Sequence, residues 1–338
     1  MLHSSLWVRH TCRRGLRWIT RARQEPPRSA PVPEIARDLA RRIIAAGSAG
    51  GDLSVGGYSA PQWGAAINVL FDLERFDAAR FALRRLAPLY PRTEFVDSLS
   101  LVLDEMPDSS ATTDFHDDTS RELQVVRHAG ARTAILCFCA GGSQRLGMPL
   151  NAFHRWVGRL PASVIYLRDF RNQFFLDGIP ALGAGLQASL AGLRKILLEL
   201  EAQRVLCFGV SVGGFAALYY GLQIRAARVA ALCGAVTLEP GFNEHLRWTG
   251  AARRLTEGYP GLALDMVKEY TPASRAPQVS LVYGEQNWDD RLHAEYMASL
   301  ACARLRPLPG FDGHNVVIEL VRRGELAGLL DEFVADDA

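Results

Sequence analysis

Lysine is nearly missing from this sequence. Only Lys195 and Lys268 occur among the 38 basic residues, and the rest are arginine. With net charge at only +2, the skew reads as high-GC coding, not as a surface built for phosphate. Neither nucleic acid nor a membrane surface is expected as a partner. CxxC spacing is also missing. The six cysteines therefore indicate neither a zinc site nor a disulfide framework. Cys137, Cys139, Cys207 and Cys233 fall in apolar runs, where a thiol behaves as a small hydrophobe. A reducing cytoplasm is the expected location. Long apolar runs are missing too. The longest, 205–220, is interrupted by Ser211 and is too short to span a bilayer. There is no Walker loop and no dinucleotide-binding glycine pattern, so no cofactor and no metal are expected.

What is present suits a globular protein. Apolar residues make up 49% and charged residues 22% of 338, enough for one large domain and a smaller one. Residues 1–24 carry Arg9, Arg13, Arg14, Arg17, Arg21 and Arg23 and no acid. That is the composition of a transit peptide. The simpler expectation is that 1–32, with its proline-rich end, forms a basic disordered leader or is a start-site artefact.

Residues 33–105 read as an all-helical module. Ile35, Leu39, Ile43 and Ile44 mark one helix face. From Ala60 to Thr93, Trp63, Ala79 and Pro91 stand at the fourth, twentieth and thirty-second positions of a 34-residue unit, with Phe76 at the start of its second helix. This resembles a single tetratricopeptide repeat, although Ala66, Ile67 and Leu86 depart from the pattern. One repeat cannot bury its own apolar face and must pack on neighbours. The resemblance implies a helical hairpin with a possible protein partner. Residues 106–120 are polar and turn-rich and are expected to be a linker.

Beyond residue 120, apolar strand runs alternate with helices. The fold expected is α/β: a mostly parallel, doubly wound sheet covered on both faces. Residues 239–277 break the rhythm and are expected to form a cap. Within this frame, Arg204 to Val210 is an apolar strand. Ser211 follows it, and Gly213-Gly214-Phe215 begins a helix. A serine in so sharp a turn projects its hydroxyl at the sheet edge and takes a strained backbone that flanking glycines make room for.

With this turn, residues 121–336 resemble the α/β-hydrolase superfamily. The resemblance implies a nucleophile at Ser211 and a histidine base after the last strand. Only His314, in Pro309-Gly310-Phe311-Asp312-Gly313-His314, follows that strand. The third member should be an acid after the strand 279–283. The family places it three residues beyond the closing glycine, where this chain has Asn287, a departure. Asp290 is preferred, with Asp289 and Glu285 as alternatives, and the absence of any acid stays open. Two backbone N–H groups should face the substrate oxygen: that of Val212 and that of Gly142, with Gly141 and Ser143 able to replace Gly142. Arg168 and Phe170 are candidate substrate contacts, Arg168 for an anionic group. An Arg168–Asp169 surface network is the competing reading.

Three functions remain open on this reading. One is a serine hydrolase of an ester, thioester or amide. A second is an acyltransferase or deacylase acting on a glycan or carrier-linked substrate. The third is a non-catalytic scaffold, which the Asn287 departure suggests.

Overall fold

The computed structural model describes residues 34–49, 53, 57–90, 93–108, 114–262 and 264–335. The expected leader, 1–32, lies outside the described residues.

Among the described residues, four helices precede the sheet: α1 (Glu34–Ala49), α2 (Ala60–Asp72), α3 (Phe76–Leu86) and α4 (Glu94–Glu105). On α1 the buried stripe is Ala36, Leu39, Ala40 and Ile43, at helical spacing, whereas Ile35 faces solvent. The α2 start is fixed by Pro61 in the first turn and by Gln62 Oε1, which accepts the Ser59 N–H at 2.7 Å. A three-residue turn with Glu74 at φ 53° leads into α3. Trp63 and Ala79, two of the repeat positions, are fully buried.

The sheet has seven strands: β1 (Leu123–Val126), β2 (Thr133–Phe138), β3 (Ala162–Leu167), β4 (Arg204–Val210), β5 (Arg228–Leu232), β6 (Gln278–Gly284) and β7 (Ala303–Leu308). Their order is β1-β3-β2-β4-β5-β6-β7. Only β1 runs antiparallel, along β3. Helices α5 (Leu150–Val157), α11 (Val316–Arg322) and α12 (Leu326–Val334) cover one face. The other carries α6 (Gly185–Glu199), α7 (Val212–Ile224), α8 (Thr249–Gly258), α9 (Met266–Tyr270) and α10 (Trp288–Met297). The fold class is thus the expected doubly wound, mostly parallel α/β type. Alternation along β2 shows how the strands serve both faces. Ile135 and Cys137 join one core, and Ala134, Leu136 and Phe138 join the other.

The core that contains Ile135 also contains Leu39, Trp63, Phe71, Leu83 and Val102 of the helical module. Module and sheet domain therefore share one apolar interior. The segment expected to be a linker is part of it. Phe115 packs against the rings of His154 and Tyr166 with centroids 4.7 and 4.6 Å away. Asp117 is buried in an ion pair with Arg168. Polar ties add to the apolar ones. Asn151 Nδ2 donates to the carbonyls of Phe71 and Asp72, and the Arg155 guanidinium lies over the Phe76 ring.

Because β2, β4, β6 and β7 are parallel, the loops leaving their C-terminal ends gather along one edge. Those loops carry Gly141, Ser211, Asn287 and His314.

Candidate active site

The turn after β4 forms because backbone passes backbone with no room for side chains. A Cβ on Gly209 would lie 2.0 Å from the Gly213 carbonyl oxygen, and one on Gly213 would lie 2.0 Å from that of Phe138. Gly214 also meets backbone, with its Cβ position 2.8 Å from the Gly234 Cα. Between them Ser211 takes φ 59° and ψ −118°. Such a backbone costs a non-glycine residue roughly 1–3 kcal/mol. It turns the hydroxyl out of the sheet at the N-terminus of α7, where backbone N–H groups make the field positive.

His314 stands on the loop after β7. Its Nε2 is 2.9 Å from Ser211 Oγ, and its Nδ1 is 2.8 Å from Asp290 Oδ2 and 3.0 Å from Oδ1. The Asp290 side chain is 1% exposed and that of His314 24%, so the carboxylate is sealed while the imidazole keeps an open edge. Asp290 sits in the first turn of α10, a favourable place for a carboxylate. Trp248 packs edge-on against the His314 ring, with centroids 6.0 Å apart.

The other acids have separate work. Asp289 Oδ2 accepts the Arg247 N–H at 3.2 Å, and Glu285 Oε2 accepts that of Gly310 at 2.9 Å. Asn287 is a residue to which sequence reasoning gave no role. It caps α10, its Oδ1 accepting the Asp290 N–H at 3.1 Å, and its Nδ2 donates to the Asp312 carbonyl at 3.1 Å. An amide carries both a donor and an acceptor, so this position ties the acid to the histidine loop. Its place at a helix start was the available signal.

The loop after β2 corrects another expectation. The Gly142 N–H is already bonded to Asn172 Oδ1 at 2.7 Å. Among the described residues, no acceptor engages the N–H of Gly141 or Val212. Gly141 also lies directly against Val212, since a Cβ on it would be 2.9 Å from Val212 Cγ2. Gly141 lines the cleft at Ser211, and Gly142 does not. The pair of free donors beside the hydroxyl is therefore Gly141 and Val212.

Arg168 offers nothing to a substrate. It is 2% exposed. Its guanidinium donates to Asp117, to the carbonyls of Asp118, Arg121 and Gln144, and to Gln124 Oε1. Nor does it form the surface network with Asp169. That carboxylate instead accepts the N–H groups of Arg171, Gln173 and Phe175. Phe170 is half-buried and does not line the cleft.

Residues 239–277 hold α8 and α9 against the sheet. Asp265 caps α9, and the Tyr270 hydroxyl donates to the Leu218 carbonyl. Among the described residues of this segment, Trp248 touches the site and none lines the cleft. Cys233 Sγ lies within 4.8 Å of the donor atoms of Asp290 and His314. Burial pushes its thiol far above the ordinary range, so it stands beside the acid and the base as a protonated neighbour.

No protein-family model matches the chain, and no curated protein matches it. Solved structures do resemble it. A hydrolase from Pseudomonas aeruginosa PA01 aligns at 16% identity over 63% of this chain and 94% of its own, with a TM-score of 0.42. An S-formylglutathione hydrolase from Agrobacterium tumefaciens aligns at 14% identity over 63% of this chain and 90% of its own, with a TM-score of 0.41. A proline iminopeptidase from Mycobacterium smegmatis aligns at 13% identity over 62% and 94%, with a TM-score of 0.40.

Proposed function

We propose that this chain is a serine hydrolase that cleaves an ester, thioester or amide through an acyl-enzyme on Ser211. The observation that carries the reading is the unbroken relay from Ser211 Oγ through His314 to the buried Asp290. In the first step Oγ bonds to the substrate carbonyl carbon, and its proton passes to His314 Nε2. Asp290, at Nδ1, stabilises the imidazolium and fixes its orientation. The N–H groups of Gly141 and Val212 receive the oxyanion. The bond to the leaving group then breaks as Nε2 returns the proton to it. Water repeats the sequence in reverse and releases the acid.

The scaffold alternative drew on Asn287 standing where an acid was expected. Asp290 at 2.8 Å from Nδ1 supports the catalytic reading in its place. A fluorophosphonate probe tests it. Labelling of the folded protein at Ser211, lost in Ser211→Ala, is the expected result. Folded protein that stays unlabelled would contradict it.

A further inference from the structure

The cleft at Ser211 is walled by more than the sheet domain. It encloses about 450 Å³, within the range of small-molecule sites. One wall is Met148, Pro149 and Ile318 from the sheet domain. The facing wall comes from the helical module, with Gly64 and Asn68 on α2 and Glu94, Phe95, Ser98 and Leu99 on α4. The placement is fixed by packing. Phe95 and Leu99 rest on the shared core, and Phe95 lies 3.8 Å from the Cβ position of Gly64. Arg145, which lines the same cleft, donates to Asn68 Oδ1 and pairs with Asp72 at 3.5 Å, so α2 is tied to the loop that bears Gly141.

We propose that the helical module is the cap of this active site, and that α4 selects substrates bearing an apolar arm, held between Phe95, Ser98 and Leu99 on one side and Met148 and Ile318 on the other. This rests on Ser211 being the nucleophile. Apolar side chains dominate the two walls, so each methylene of an arm lying there leaves water for an apolar contact. Discrimination from one such group is modest, but it accumulates along a chain. Ser98 is the one small side chain of α4 on that wall, and enlarging it shortens the space directly.

The test compares kcat/KM for p-nitrophenyl esters from acetate to decanoate, and for acetate esters of straight-chain alcohols. The two series distinguish an acyl arm from a leaving-group arm. Wild-type protein should favour an eight-carbon over a two-carbon variable arm by at least about tenfold in one of them. Ser98→Trp should reduce that eight-carbon to two-carbon ratio by tenfold or more. Leu99→Ala, which enlarges the space, should move the optimum to longer chains. A thermal melt of each variant reports whether it folds, and the Leu99→Ala shift decides the matter if Ser98→Trp does not. Chain-length profiles that stay flat in both series, or that neither folded variant alters, would overturn the cap assignment while fluorophosphonate labelling at Ser211 persists. Loss of labelling in the wild type would overturn it together with the nucleophile.

Discussion

Asn287 binds the carbonyl of Asp312, two residues before His314, while its own side-chain oxygen holds the N–H of Asp290. One amide thus sets the spacing between the acid and the base. Asn287→Ala should lower kcat by roughly 10–100-fold with little change in KM, because it loosens the histidine without touching substrate. It also removes a helix cap worth about 1 kcal/mol. Asn287→Asp keeps the cap but loses the donor to Asp312, and should recover stability but not the full rate. Steady-state kinetics and denaturant melts on both variants check this.

The three acids after β6 should separate sharply. Asp290→Asn should lower kcat/KM by roughly 10³–10⁴, since the amide favours the wrong imidazole tautomer and cannot stabilise the imidazolium. Asp289→Asn and Glu285→Gln remove a charge but keep an oxygen that can accept the Arg247 and Gly310 N–H groups. Each should cost less than about tenfold, as neither is bonded to His314. Equal losses at all three would contradict the assignment.

The donor pair is open to a similar comparison. Gly141→Ala drives a methyl into Val212 and should cost on the order of 10²–10³ in kcat by displacing one oxyanion donor. Gly142→Ala meets nothing within 4 Å and only strains a backbone at φ 71°, a cost of about 1–2 kcal/mol in stability. A larger rate loss at Gly142 than at Gly141 would reverse the order of the two.

Acid sensitivity should trace to His293. Burial holds its imidazole neutral, with a pKa lowered from 6.5 to about 3. Below pH 6.5 the unfolded chain binds a proton that the native state refuses. The group therefore adds nothing near pH 7.5 and destabilises increasingly as pH falls toward 3, by about 1.4 kcal/mol per pH unit. His293→Leu should flatten this decline in urea melts between pH 7 and pH 4. It should also be weaker at pH 7.5, because the Val236 N–H loses its acceptor. An unchanged slope would place the acid sensitivity elsewhere.

Local pattern carried much of this fold. The limits of β4 match the apolar run Arg204 to Val210, because turn chemistry closes it abruptly at Ser211. β5 ends at Leu232, four residues earlier than its apolar run suggests, because Cys233, whose N–H still bonds the Val282 carbonyl, takes φ 45° and turns the chain away. The last helix is broken at Gly324, φ 68°, into α11 and α12. Long-range pairing was not legible. Arg168 finds Asp117 51 positions away, and nothing local distinguishes that arginine from one facing a substrate. The docking of α4 over the cleft is tertiary in the same sense. Its amphipathic face signals only that something must cover it.

The most direct measurement is intact-mass and peptide-mapping spectrometry after rapid mixing with a p-nitrophenyl ester and an acid quench. The account predicts a mass increase equal to the acyl group, located on Ser211, formed with a burst of nitrophenol and lost as product appears. The adduct should be absent in Ser211→Ala. Turnover of the ester with no adduct at Ser211, or with full activity retained in Ser211→Ala, would contradict it.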